Sequence, residues 1–515
     1  MSCLEFYPMR EFRPWLVDQP HLFPPSPSDW LDPNHMAVFV RDFVGTLDLS
    51  CITSTYGLRG APAYDPRLLV ALLLYAYMNG MPSSRGIERA LRDQVDFRYI
   101  GAGNFPDHDS IANFRKVHLK ALASLFVQVL GACQKAGLVK SGTVKTLDGT
   151  KVLANASRRK THSLKSLEKM EIRLAEEINA DQLRGDVKKY FTDAERIDAQ
   201  EDALYGDGPL PGRIDPKYGD PVKRHQLIQD LIADIKNNVS EQVDREAAAA
   251  QAKIAARENE EKNGAKKQGR KPKPVDREQR EMELMNADGL CGNTTDPDSR
   301  LMKDGATKAI VQAYNAQAVV DPAHQIIVAA CITQDANDKK QLVPMILETE
   351  RILGEKPQQV LADAGYFSEA AVTAPELAGV DLLVPPDRAA TKDDPNTPKN
   401  APLPNIPGMI WYTPAPTAAS LMRDKLKSDD GKAIYKMRGA TVEPVFGQIK
   451  EVLGFRRFSF RGKENVAHEW SLLGTAHNLR KLYGATFAKK HDKKAVRATC
   501  VSKSEISTQF ALNMA

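Results

Sequence analysis

Residues 141–157 read SGTVKTLDGTKVLANAS. Val144, Thr146 and Asp148 alternate with Lys145 and Leu147, the period of two that marks a strand rather than a helix. The strand signal resumes much later, in TKAIVQAYNAQAVVD (307–321), QIIVAACITQD (325–335), PQQVLADAGY (357–366) and VDLLVPPD (380–387). Helical patterns, NDKKQLVPMILETERILG and SEAAVTAPELAG, separate the last three. A strand meander followed by strand–helix alternation predicts a mixed sheet with helices on its faces, hence an α/β fold.

Outward from that strand, the sheet pattern is interrupted. Residues 164–263 are highly charged and helical, with one apolar stripe at Leu164, Leu167, Leu174 and Ile178. A second stripe runs through Leu227, Leu231, Ile235, Val239 and Val243, and the turn-forming GDGPLPGR lies between the two. This predicts a helical insertion, with the stripes packed on each other. The following KKQGRKPKPVDR (266–277) reads first as a basic, Pro-broken tether, although its Gly269-Arg270-Lys271-Pro272 resembles minor-groove arms. A Pro-rich loop (385–416) precedes the last helices, and the residues from 489 on read as a frayed basic tail.

Residues 1–135 precede the sheet and read as all-α. Within them SSRGIERALRDQVDFRYIG and PDHDSIANFRKVH predict two short helices, N-capped by Ser83 or Ser84 and by Asp107 or Asp109. With Arg85, Arg89, Arg92, Arg115 and Lys116 on them, they suit a helix-turn-helix reader and equally an ordinary small helical domain. The longest apolar run, LLVALLLYAYM (68–78), has eleven residues against the roughly 18–20 a bilayer span needs, which predicts a buried helix and no membrane partner. The N-terminus lacks the basic-then-apolar layout of a signal peptide, and the six cysteines are far apart with no CxxC pair, as expected of a reducing cytoplasm. Net charge is only +5, but residues 431–498 hold fifteen Lys and Arg against five Asp and Glu. So local an excess marks a candidate polyanion surface.

Three acids stand out by context. Asp148 lies within the first strand, Asp363 ends an apolar strand, and Glu443 sits in a basic helix (YKMRGATVEPVFGQIKEVLGFRRFSFRG, 435–462). An acid in a central strand needs a partner, because an unpaired buried carboxylate is costly. Three converging carboxylates would repel, and a pair of divalent cations, Mg²⁺ or Mn²⁺ for oxygen ligands, removes that conflict. Two such ions roughly 3.5–4 Å apart serve both sides of a phosphodiester. Seven steps of about 100° fall about 20° short of two turns, so Glu443 and Lys450 are expected on one helix face, with Arg438 and Tyr435 before them. An acid to hold the ion and bases to hold phosphates is what a metal-dependent phosphodiesterase needs.

LDGTKVLANAS, LADAGY and the 435–462 block resemble the three acidic blocks of bacterial insertion-sequence transposases of the DDE class. FRPWLVDQPHLFPPSPSDWL, PAYDPRLLVALLLYAYMNG, SSRGIERAL and DPDSRLMK resemble the helical leader and catalytic segments of one branch of that family. The resemblance implies a ribonuclease-H-like fold, catalytic and metal-binding roles for Asp148, Asp363 and Glu443, and a Tyr–Arg–Glu–Lys signature at Tyr435, Arg438, Glu443 and Lys450. Four residues separate Arg438 from Glu443, one more than in the commonest version. It implies two bound Mg²⁺ or Mn²⁺ ions, cleavage of double-stranded DNA at the element's terminal inverted repeats, and joining of the 3′ ends to target DNA. A homodimer or higher oligomer on DNA, and action on the bacterial nucleoid, come with it. Arg85, Arg456, Arg457, Arg461 and Lys463 are then backbone contacts, and Phe455, Phe458 and Phe460 read as core anchors before base-stacking groups. The implied organisation is a DNA-binding leader (1–135), a catalytic domain in two parts (136–160 and 291–485), an insertion with its linker (161–290) and a basic tail (486–515). A nuclease that cuts without joining, and a silent DNA-binding descendant, are the alternatives.

Overall fold

The first strand, β1 (Val144–Leu153), is the spine of a six-stranded mixed sheet. On one side it pairs antiparallel with β5 (Ile310–Asp321), setting Asp148 opposite Ala318. On the other it runs parallel to β7 (Gln359–Leu361), which in turn runs parallel to β8 (Asp381–Leu383). Two further strands, β4 (Arg300–Lys303) and β6 (Ile326–Thr333), pair antiparallel with successive halves of β5. The computed structural model describes residues 27–56, 63–140, 142–179, 221–262, 271–285, 290–305, 307–387 and 416–488.

Covered on both faces and paired along both edges, β5 is buried at every position after Ile310. Its polar residues are therefore bonded within the protein: Gln312 accepts from Ser299, and Asp321 meets the Lys145 ammonium. Lys145 itself is fully buried beside Leu147 on one face of β1.

The leader helices are α1 (Met36–Val44), α2 (Pro66–Met78), α3 (Ser84–Asp93), α4 (Val95–Gly101), α5 (His108–Val117) and α6 (Leu119–Lys135). Ser83 and Asp107 are the caps, each accepting a backbone N–H three residues on. The first stretch makes two helices rather than one, split at the extended Gln94. The apolar run becomes α2, capped by Asp65 with Pro66 at its first position, and is buried from Leu69 to Met78. Among the described residues no single helix is long and apolar enough to cross a membrane.

The last helix, α13 (Lys463–Ala488), packs on α6, α2 and β6. Its Asn478 donates to the Ile327 carbonyl and accepts from the Ile327 N–H, occupying the edge of β6 that no strand among the described residues covers. One continuous core runs from Ala37 in the leader to Leu482 in α13. The buried Glu469 of α13 accepts from the backbone of Ser459 and Phe460 and faces Tyr77 of α2.

Between β1 and β4 the chain passes through β2 (Thr161–Ser163), α7 (Leu164–Asn179), α8 (Pro221–Lys262), α9 (Arg277–Met285) and β3 (Cys291–Asn293). Exit and return lie together, since β2 pairs with β3. A separate small core joins Leu164, Leu167 and Leu174 to Ile228, Leu231, Ile232 and Ile235. The expected stripe is shifted at its start: Ile228 is buried where Leu227 is only partly so. Burial of Ile178, GDGPLPGR, Gly269, Arg270, most of the Pro-rich loop and the tail lie outside the described residues. NDKKQLVPMILETERILG forms α10 (Leu342–Leu353), but SEAAVTAPELAG is not one helix: it makes a turn of α-helix (Glu369–Val372) and one of 3₁₀ (Pro375–Leu377), divided at Pro375 and ended by Gly379 at φ +86°.

Candidate active site

Thr146 on β1 and Leu361 on β7 are parallel partners. Asp148 and Asp363 each stand two residues further on, so both acids lie just past the point where β1 and β7 stop pairing, Asp148 within β1 and Asp363 beyond the end of β7. Each carboxylate is steadied locally: Asp148 accepts from the Gly149 N–H and Asp363 from the Gly365 N–H, both at 2.8 Å.

The third acid arrives on α12 (Asp429–Gly447), preceded by α11 (Ala418–Lys427) and capped by Ser428. Val442, Val445 and Phe446 pin α12 to the core, leaving the Glu443 side chain 69% exposed. Pro444 has no N–H to offer Ala440 one turn earlier, and Gln325 Nε2 donates to that carbonyl instead (3.2 Å). The helix then widens into a π turn (Gln448–Val452).

All three acids meet at one guanidinium. Arg438 Nη2 lies 3.5 Å from Asp148 and 4.0 Å from Asp363, and Nη1 lies 3.8 Å from Glu443. The Arg438 side chain is 15% exposed, and its buried Nε has no hydrogen-bond partner among the described residues. Burial pushes the Asp148 carboxyl up to about 6, against the pull of Arg438. Tyr435 donates to the Ala362 carbonyl, next to Asp363, and burial raises its hydroxyl to about 12.

Residues 25–117 match the family model described as "Transposase domain (DUF772)", and residues 291–479 match the "Transposase DDE domain". Together they span more than half of the chain. The chain belongs to the DDE transposases of insertion sequences. No curated protein and no solved structure matches it. The family is one with a ribonuclease-H-like catalytic fold, in keeping with the mixed sheet, and it implies DNA binding.

Beneath the acids, the transposase carries a polar floor that no sequence pattern marked. Gly149 pairs with Gln317, and a Cβ on it would lie 2.3 Å from Gln317 Nε2 and 2.9 Å from Asp338 Oδ1. Asn315 and Gln317 both donate to Asp338 Oδ1 at 2.7 Å, and the buried Tyr366 hydroxyl donates to Gln317. The available signal was two amides within an otherwise apolar strand, AYNAQAVV.

The expected basic residues divide. Lys450 is half-buried and donates to the Lys151 carbonyl (2.8 Å), tying the π turn to β1, and burial lowers its pKa. Arg461 donates to the Asn155 carbonyl (3.0 Å), and the half-buried Arg457 bridges Leu153. Arg456 pairs with Glu451 in solvent, while Lys463 and, on α3, Arg85 are exposed. Arg115 is not a surface cation: it is buried, donates to the Pro82 carbonyl and the Tyr77 hydroxyl, and lies over the half-buried Phe460. Phe455 and Phe458 are buried core anchors.

Carboxylates suit Mg²⁺ or Mn²⁺ by the chemistry of their oxygens. As the side chains stand, however, no group of three or more acid, imidazole or thiolate residues among the described residues is disposed to hold an ion. The cation among these acids is Arg438.

Proposed function

We propose that this transposase cuts the inverted-repeat ends of its element and joins the 3′ ends to target DNA, with Asp148, Asp363 and Glu443 as the catalytic, metal-holding acids. The observation that carries this reading is the meeting of three acids, 215 and 80 residues apart in sequence, at a single guanidinium. Two divalent ions, when bound there, would activate the attacking oxygen and stabilise the leaving one. Asp148 and Asp363 are pre-set for this by their turns, while Glu443 is free to turn inwards from α12. Arg456 and Lys463, after the π turn, and Arg85 on the leader supply exposed charge for backbone phosphates.

In the same reading, residues 161–290 are an insertion into the ribonuclease-H-like domain, and the leader binds element ends. The active form is an oligomer on DNA, acting in the cytoplasm. The test is Mg²⁺- or Mn²⁺-dependent cleavage of a duplex carrying the element's ends, followed by strand transfer from pre-cut ends. Asp148→Asn, Asp363→Asn and Glu443→Gln should each abolish cleavage while keeping DNA binding. Cleavage that survives in any of them removes that acid from the site, and cutting without joining makes the protein a nuclease.

A further inference from the structure

Arg438 sits at the centre of three acids yet hydrogen-bonds to none of them: its closest approach is 3.5 Å, and its Nε is buried without a partner. A guanidinium offers five donors, and the strong form of its pairing with an anion is a bidentate one at about 2.7–2.9 Å. Here it supplies charge without that geometry. Among the described residues Arg438 is the cation within 4 Å of these three carboxylates, while Lys151 acts on Asp148 and Asp363 from further off and Asp338 adds a fourth acid, so the cluster stays acidic with Arg438 in place. Around the guanidinium lie Asp148 on β1, Asp363 after β7, and Tyr435 and Glu443 on its own helix.

We infer that Arg438 is an exchangeable counter-ion, which occupies the acid cluster until a DNA phosphate draws it out and divalent cations take its place. This rests on the reading of the three acids as metal ligands. A phosphate gives the guanidinium the bidentate partner it lacks among the acids, and its departure leaves oxygens facing one another that only a cation can reconcile. Metal and DNA therefore bind cooperatively, and by linkage each strengthens the other by the same factor.

The test titrates the full chain with Mn²⁺, reading free Mn²⁺ by electron paramagnetic resonance, with and without a 30-base-pair duplex. Wild type should bind Mn²⁺ at least tenfold more tightly when the duplex is present. Arg438→Met should reach that tighter affinity alone, with the duplex adding less than twofold. Arg438→Lys, which keeps one charge, should fall between, and it decides the matter if circular dichroism shows Arg438→Met unfolded. Wild-type Mn²⁺ binding that Arg438→Met or Arg438→Lys leaves unchanged, with the same response to DNA, overturns the exchange and spares the metal site. Absence of Mn²⁺ binding that depends on Asp148 and Asp363, in every variant, overturns both.

Discussion

The Lys145 ammonium lies 2.9 Å from the Asp321 carboxylate, with both side chains out of solvent at 0% and 2% exposure. The same ammonium donates to the Lys140 carbonyl and the Thr143 hydroxyl, both at 2.8 Å, and Asp321 also accepts from the Ala323 N–H. The pair locks β1 to β5 three residues before the register reaches Asp148. Removing one partner strands the other charge in the core. Lys145→Met should cost about 3–5 kcal/mol, and a second change, Asp321→Leu, should recover much of it. Urea unfolding of the single and double variants measures both.

The glycines near the acids differ in what surrounds them. At Gly149 a methyl group would drive into Gln317 and Asp338, so Gly149→Ala should lose about 1–3 kcal/mol and disturb the floor under Asp148. At Gly447, on α12, nothing lies within 4 Å, and Gly447→Ala should be neutral or stabilising by up to about 1 kcal/mol. Thermal unfolding of the two variants side by side checks the contrast.

His477 sets one part of the pH dependence. Burial lowers its imidazole to about 4, with Lys481 and Arg480 adding to the effect and the Gln325 carbonyl opposing it. The unfolded chain takes up a proton near the ordinary value of 6.5, whereas the folded one does not until about 4. The stability due to neutral His477 is therefore present above about 6.5 and lost as pH falls towards 4, by about 3 kcal/mol in all. Asp148 and Asp296, both raised to about 6 by burial, act in the opposite sense within this window. The clean measurement is thus a difference: His477→Gln against wild type, in urea, from pH 4 to 7. The gap should narrow as pH falls.

Two lysines in the basic segment should behave differently. Lys450→Met loses its bond to the Lys151 carbonyl and should cost about 1 kcal/mol of stability with little change in the salt dependence of DNA binding. Lys463 is exposed on the first turn of α13, and Lys463→Ala should lower the salt slope by about one without altering the fold. DNA-binding titrations over a range of salt, alongside unfolding curves, separate the two.

Local chemistry was readable wherever its cause lay within a few residues. The caps were readable to a choice of two, Ser83 or Ser84 and Asp107 or Asp109, because a cap reaches only two or three residues ahead, and the structure uses Ser83 and Asp107. The facing stripes of α7 and α8 followed from helical period, and the buried α2 from a run of apolar side chains. The shift from Leu227 to Ile228 was not readable, because neighbouring apolar residues compete for one face and only the partner helix chooses. Strands β2, β3 and β4 span three or four residues each and are too short to show a period. The burial of Lys145 and Arg115 was hidden for a related reason: a charged side chain is written the same way whether it meets water or a partner far along the chain.

The sequence by itself determined the longer strands and helices and which three acids stand in unusual settings, since capping, period and apolar run length act over a few residues. Only the tertiary structure decided that Asp148 and Asp363 come from neighbouring strands, that α12 brings Arg438 and Glu443 to them, and that Asp338 joins Asn315 and Gln317 beside them. Those relations depend on the pairing of Thr146 with Leu361 and on the packing of α12 against the sheet. Such long-range contacts are chosen by the shared burial of many side chains together, and no single stretch of the chain carries that choice.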